Sequence, residues 1–143
     1  MQCLIEMAKY LLDTNILIYY FRGQFNVEKQ IQRIGWENCY VSEISIAEIK
    51  YGNEISKQRG FKISPKFDLI IKNLRALPIS NVIDMYAEEK ARLRQNGTPI
   101  HDDFDLLIAC TSVVNGMIMV TENLKDFALE YKPTLHVQPS VRQ

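Results

Sequence analysis

Apolar residues along this chain occur in short continuous runs that alternate with longer stretches in which they recur at helical spacing. A short apolar run bounded by turn-forming residues predicts a buried β-strand. The runs with this character are 9–12, 39–41 and 117–120. Two weaker segments, 76–79 and 135–137, predict further strands, and Pro78 restricts the first of them to a sheet edge or a strand end.

The longer stretches carry apolar residues three and four positions apart, which predicts amphipathic helices. We expect helices over 16–22, 27–34, 42–52, 67–74, 82–95 and 106–114. Alternating short strands and helices predict an α/β fold with right-handed crossovers. The expected architecture is a three-layer sandwich with a central parallel sheet of four to five short strands flanked by helices. At 143 residues, the chain fits one domain spanning 1–143.

Composition limits the class of protein further. Hydrophobic residues make up 47% of the chain and charged residues 24%, which is typical of a globular domain and excludes a fibrous or disordered chain. No run approaches the ~18 apolar residues of a membrane span, so we expect no membrane association. Residues 1–7 lack the basic start of a secretory signal, and the cysteines are odd in number and unpaired in spacing. These features predict a cytoplasmic protein, whose native start is either Met1 or Met7.

Charge and the isolated nucleophiles give little direct indication of function. The net charge is zero, with 17 basic and 17 acidic residues, so bulk charge does not indicate nucleic-acid binding. Basic residues cluster at 57–66 and 90–94, where they either contact phosphates or form a solvated surface. Cys39 and Cys110 lie in apolar runs and are expected to fill the core. The two histidines, without neighbours at ligand spacing, receive no role.

Candidate chemistry lies where apolar strands end, because ligands of open parallel sheets gather beyond the carboxyl ends of the strands. The polar residues that follow these strands or begin a neighbouring helix are Asp13, Asn15, Glu48, Asp105, Thr121 and Asn123. Carboxylates that share a cleft raise one another's pKa unless a cation neutralises them. Oxygen ligands favour Mg²⁺ or Mn²⁺, and the absence of clustered His and Cys argues against zinc.

Each acidic candidate also has a purely structural interpretation. Asp13 can cap the helix that follows it. Glu48 lies three residues after Ser45, which is the spacing of a capping box. The acidic residues in segment 102–105 can complement a helix dipole. No single motif decides between structure and chemistry.

Four segments together resemble the PIN-domain family, and in particular the VapC-type toxins of bacterial toxin–antitoxin pairs. They are Tyr10–Asn15, Val41–Gly52, Gly97–Ala109 and Val120–Phe127, and the resemblance covers nearly the whole chain. It implies a PIN-like fold and a Mg²⁺- or Mn²⁺-dependent endoribonuclease that leaves a 5′-phosphate and a 3′-hydroxyl. It also implies a homodimer and a cognate antitoxin that inserts a segment near the active site.

The resemblance assigns roles by motif. Asp13, Glu48 and Asp105 correspond to the acidic metal-binding residues, with Asp13 and Asp105 as the first choices for direct ligands. Glu48 either binds the metal or holds the attacking water, and Asn15 helps to arrange the site.

The last motif departs from the family pattern. Thr121 and Asn123 match it, but many relatives place a fourth acid at the position of Asn123. Glu122 and Asp126 are the nearby carboxylates, so the identity of the fourth acidic residue is open.

Two other functions fit parts of the sequence. An aspartate-based phosphatase or phospho-acceptor also has an Asp at the end of its first strand, but it usually needs a second acid two residues later, where this chain has Asn15. A non-catalytic PIN-like binding module is the other alternative, and the presence of Asp13, Glu48 and Asp105 argues against it.

Overall fold

Strands and helices alternate along most of the chain in the computed structural model, which describes residues 8–99, 102–122 and the backbone of 136–138. The strands are β1 (Tyr10–Leu12), β2 (Cys39–Ser42), β3 (Ala76–Leu77), β4 (Ile118–Val120) and β5 (His136–Gln138). The helices are α1 (Thr14–Arg22), α2 (Val27–Ile34), α3 (Glu43–Gln58), α4 (Pro65–Asn73), α5 (Ile83–Gln95) and α6 (Asp103–Val114). A 3₁₀ turn at Trp36–Asn38 leads into β2.

The strands form one parallel sheet in the order β3-β2-β1-β4-β5. Strand β1 lies in the centre, with Leu11 opposite Tyr40 of β2 and Leu12 opposite Val120 of β4. The chain therefore runs from β1 to one edge of the sheet and then returns to the other side of β1. A crevice at such a reversal is where open parallel sheets bind ligands.

Side chains of the central strands alternate between two hydrophobic layers, as the pleat of a strand requires. Leu11 and Met119 pack on one face of the sheet, against residues of α5 and α6. Leu12 and Val120 pack on the other face, against residues of α1, α2 and α4. Both faces of the sheet are therefore buried, which explains why these strands are apolar at every position.

The structure confirms the predicted α/β class and the three-layer sandwich, with five strands among the described residues. The segment before Pro78 forms an edge strand, as expected, and so does the last described strand. The predicted turn that leads through Phe127 lies outside the described residues.

Two helix boundaries differ from the prediction by three residues or more. Helix α3 continues through Gly52 to Gln58, because the left-handed turn that ends it is made by Gly60, with φ +86°. The amide of Phe61 then donates to the carbonyl of Ser56 over 3.0 Å. Helix α6 begins at Asp103, before the expected Leu106, because the side chain of Asp102 caps it.

The predicted core role of Cys39 and Cys110 is confirmed, since both are buried in the hydrophobic layers. Burial, assisted by Glu37, raises the pKa of Cys39 to about 11, and burial assisted by Glu89 raises the pKa of Cys110 to about 12. Thiols of this kind are poor nucleophiles. Among the described residues, no helix has the length and apolar character needed to cross a membrane.

Candidate active site

The ends of β1 and β4 bring Asp13 beside Thr121. The amide of Asp13 donates to the carbonyl of Val120 over 3.0 Å, which continues the strand pairing by one residue. The hydroxyl of Thr121 donates to Oδ2 of Asp13 over 2.7 Å, and Thr121 is fully buried. The predicted pair of residues therefore meets at the carboxyl edge of the sheet.

The carboxylate of Asp13 also accepts the amide of Thr14 on Oδ1 over 2.8 Å, at the start of α1. Only 3% of Asp13 is exposed. Burial raises its pKa, the hydrogen bonds from Thr121 and Thr14 lower it, and the charges of Asp102 and Glu122 raise it further. Asp13 is thus both the cap of α1 and a buried carboxylate within a group of acids.

Glu48 reaches the site from the second turn of α3. The N-cap of this helix is Ser42, whose Oγ accepts the amide of Ile44 over 3.1 Å. Ser45 lies inside the helix, so the capping-box interpretation of Ser45 and Glu48 is wrong. Thr14 Oγ1 instead lies 2.8 Å from Ser45 Oγ and 2.8 Å from Glu48 Oε1.

The electrostatic surroundings of Glu48 resemble those of Asp13. Burial makes the largest contribution and raises the pKa of Glu48, while the hydrogen bond from Thr14 lowers it. The charges of Asp102 and Asp13 raise it further. Both carboxylates are therefore held near other negative charges.

The start of α6 supplies two more carboxylates. Asp102 Oδ1 accepts the amides of Phe104 over 2.9 Å and Asp105 over 3.3 Å, so Asp102 is the helix cap. Asp105 lies in the first turn of the helix and lines the same cleft. Asp103 faces a different surface, toward α5.

Asp103 accepts hydrogen bonds from Lys90 over 2.7 Å and from the hydroxyl of Tyr86 over 2.8 Å, both on α5. The hydrogen bond from Lys90 is the main reason why the pKa of Asp103 is lowered. The three acidic residues of segment 102–105 therefore have different roles. Asp102 caps α6, Asp103 forms a surface ion pair, and Asp105 lines the cleft.

The cleft has a volume of about 280 Å³, and every charged residue that lines it is acidic. Its lining consists of Asp13, Thr14, Asn15, Ile18, Glu48, Asp102 and Asp105. Within the described part of the chain, however, no three His, Cys, Asp or Glu side chains are arranged closely enough to hold a metal ion. The carboxylates share a cleft without the spacing of a formed metal centre.

A larger cleft of about 390 Å³ lies near the amino end of β2 and is lined in part by Trp36, Cys39 and Leu74. It contains none of the predicted site residues. The smaller acidic cleft, which contains the carboxylates, is therefore the candidate active site.

The structure brings four predicted site residues together in that cleft, namely Asp13, Asn15, Glu48 and Asp105. Thr121 contacts these residues through its hydrogen bond to Asp13. Asn123 and Asp126 lie outside the described residues. Glu122, the other nearby carboxylate of the last motif, accepts a hydrogen bond from the hydroxyl of Tyr19.

Asp102, Thr14 and Ser45 were not among the predicted site residues. Asp102 precedes an apolar helix by one residue, a typical cap position that gives no sign of an adjoining cleft. Thr14 directly follows Asp13, but its link to α3 depends on hydrogen bonds with Ser45 and Glu48, which lie 31 and 34 positions later in the chain. No local signal could have predicted those contacts.

Comparison with known proteins decides the family. The family model described as "PIN domain" matches residues 10–128. This chain belongs to the PIN-domain family. Two similar relatives are named ribonuclease VapC2. Ribonuclease VapC2 of Rickettsia felis is 31% identical over 121 residues, covering 82% of this chain and 89% of the relative. Ribonuclease VapC2 of Haemophilus influenzae is 32% identical over 128 residues, covering 85% of this chain and 91% of the relative.

Comparison with solved structures agrees with this assignment. The crystal structure of VapBC2 from Rickettsia felis, bound to a DNA fragment from its promoter, contains a chain that matches with a TM-score of 0.74 and 26% identity. The match covers 91% of this chain and 97% of that chain. The similarity therefore extends over nearly the full length of both, and the phosphatase alternative is not favoured.

Proposed function

We propose that this PIN-domain chain is a divalent-metal-dependent endoribonuclease that acts as the toxin of a toxin–antitoxin pair. The observation that carries the proposal is the acidic cleft, in which Asp13, Glu48, Asp102 and Asp105 meet from three separate elements. The similarity to proteins named as VapC ribonucleases supports RNA as the substrate.

The donor set of the cleft fits Mg²⁺ or Mn²⁺ in its chemistry. All of its charged groups are carboxylates, and hard divalent cations prefer oxygen ligands. Burial and mutual repulsion raise the pKa of Asp13 and Glu48, and a cation would relieve that repulsion. We assign Asp13 and Asp105 as the residues that would hold the ion, with Glu48 as a third ligand or as the base.

When bound, such an ion supplies Lewis acidity toward a phosphodiester and the water that attacks it. The protein residues contribute position and proton transfer. Glu48, with its raised pKa, suits a base that accepts a proton from the attacking water at a pH nearer neutrality. Thr121 fixes Asp13 through Oδ2, so that this carboxylate keeps one orientation.

The two amide residues of the predicted site have supporting roles in the proposal. Asn15 lies in the first turn of α1, exposed to solvent and on the lining of the cleft, where its side chain can orient a phosphate or a water. Asn123 is proposed to contribute as the residue of the last motif that stands at the position where many relatives carry an acid.

A cognate antitoxin and a second copy of the chain are the proposed protein partners, in the cytoplasm. The Rickettsia felis neighbour is described as VapBC2, a complex, which supports an antitoxin. Coexpression with the product of an adjacent small gene should give a co-purifying complex that lacks ribonuclease activity. Light scattering of the chain alone should give twice the mass of 16.6 kDa.

The proposed activity is tested with purified chain, Mn²⁺ and mixed RNA, alongside a phosphate monoester assay. Internal cleavage that leaves 5′-phosphate ends, without release of phosphate from the monoester, is the expected result. Monoester hydrolysis without RNA cleavage would identify a phosphatase. Inactivity toward both substrates would leave the non-catalytic binding module as the function.

A further inference from the structure

We infer that Thr14 is a positioning residue which, with Ser45, orients the carboxylate of Glu48 in the acidic cleft. The inference rests on the proposed function and adds two hydroxyl residues that the family motifs do not assign. It follows from three side chains of α1 and α3 that meet at Thr14 Oγ1.

The number of protons fixes the direction of these hydrogen bonds. A threonine hydroxyl has one proton to donate and can accept from others, whereas an ionised carboxylate only accepts. Thr14 Oγ1 lies 2.8 Å from Glu48 Oε1, so its proton is directed to that oxygen. Ser45 Oγ, also 2.8 Å from Thr14 Oγ1, then donates to it. The order is Ser45 to Thr14 to Glu48.

Burial makes this arrangement rigid. Ser45 has 0% of its surface exposed and Thr14 only 8%, so water does not compete freely for their hydroxyl groups. Ser45 and Glu48 lie three residues apart on α3 and therefore on the same side of the helix. Thr14, from α1, contacts both of them.

Thr14 also connects Glu48 to Asp13. Its amide donates to Asp13 Oδ1 over 2.8 Å, while its hydroxyl holds Glu48. One residue thereby sets the positions of two carboxylates through two different groups. Removing the hydroxyl alone should release Glu48 and leave the amide contact to Asp13 in place.

The test compares wild type with Thr14→Val, Thr14→Ser and Ser45→Ala. Loss of a partner that orients a ligand typically lowers activity or metal affinity by about 10–100-fold. We expect Thr14→Val to reduce kcat for RNA cleavage by that factor and to raise the Mn²⁺ concentration needed for half of the thermal shift. Thr14→Ser should restore both values, and Ser45→Ala should cause a smaller loss in the same direction.

Thr111→Val is the matched control. Thr111 is a fully buried threonine whose hydroxyl donates to the carbonyl of Leu107 over 2.7 Å within α6. This variant loses a buried hydroxyl of the same kind outside the cleft, so kcat and the Mn²⁺ response should stay at wild-type values. A loss of kcat equal to that of Thr14→Val would show that Thr14 contributes only to packing.

A double-mutant cycle separates this inference from the proposed function. Thr14→Val, Glu48→Ala and the double variant, each of which removes the hydrogen bond, are melted without metal, and the two effects should be non-additive because the side chains are in contact. Additive effects would overturn the positioning role even if wild type cleaves RNA. Wild-type protein that neither cleaves RNA nor responds to Mn²⁺ would contradict the proposed function, while coupling in the cycle would still support the contact.

Discussion

Asp13 shows at the scale of one residue that a structural and a chemical role are compatible. Its Oδ1 caps α1 through the amide of Thr14, and its Oδ2 accepts from Thr121. The sequence alone left cap and ligand as alternatives for this residue. A carboxylate has about four lone-pair sites, so both oxygens can accept further contacts on the side of the cleft.

Asp105→Asn should abolish RNA cleavage with the fold intact. Asn keeps the shape of the side chain but lacks the charge proposed to hold the cation. The expected loss exceeds the roughly 10–100-fold that follows removal of a ligand's supporting partner.

Asp103→Asn is the control for this variant, because Asp103 is paired with Lys90 outside the cleft. Cleavage rates and circular dichroism of both variants provide the measurement. A fully active Asp105→Asn protein would show that Asp105 acts only on the helix dipole.

Glu48→Gln should lower cleavage by about 10²-fold or more, the contribution typical of a general base. The melting temperature without metal should stay the same or rise. Gln still accepts the hydrogen bond from the Thr14 hydroxyl. The variant also removes a partly buried negative charge, and burial is the main reason why the pKa of Glu48 is raised. Single-turnover cleavage and thermal melts test this, and undiminished cleavage would exclude Glu48 from catalysis.

Among the elements, the central strands β1 and β4 were predictable because they are apolar and packed on both faces of the sheet. The helix ends were less predictable where two signals compete. Gly52 suggested an end of α3, yet its φ is not positive, and the left-handed residue is Gly60. A single glycine within a helix costs only about 1 kcal/mol relative to alanine, so the longer α3 prevails.

Gly52→Ala should therefore stabilise the protein, by roughly 0.5–1 kcal/mol. Gly52 is exposed within α3, and an added Cβ would meet no atom within 4 Å. Urea unfolding of the metal-free protein gives the free energy of unfolding.

Gly60→Ala provides the comparison for this variant. It also has space for a Cβ, but φ +86° is strained for alanine, so Gly60→Ala should be destabilised. Equal effects of the two substitutions would show that α3 does not end as described.

At the scale of the whole molecule, the sheet order explains which part of the site was predictable. Asp13 and Thr121 follow neighbouring parallel strands, so strand prediction alone places them side by side. Asp102 and Thr14 could not be recognised in this way, because their roles depend on how α1, α3 and α6 pack at one edge. The single-domain assignment and the role of Asn123 stay predictions.

The acidic cleft should also affect global stability. A ligand that binds only the folded state stabilises it by about 2.7 kcal/mol at one hundred times its Kd, which corresponds to roughly 5–10 °C in melting temperature here. Mg²⁺ or Mn²⁺ at millimolar concentration should produce such a shift in wild type. Asp13→Asn/Asp105→Asn should not respond, and its metal-free form should be at least as stable because repulsion among the carboxylates is reduced.

The most direct test of a metal-dependent ribonuclease is the rate of RNA cleavage after chelation. Wild-type protein treated with EDTA should be inactive, and added Mn²⁺ should restore cleavage in parallel with the thermal shift. The Asp13→Asn/Asp105→Asn protein should stay inactive at every Mn²⁺ concentration. Cleavage by wild type that continues at an unchanged rate in EDTA would contradict the assignment of the acidic cleft as a metal-dependent active site.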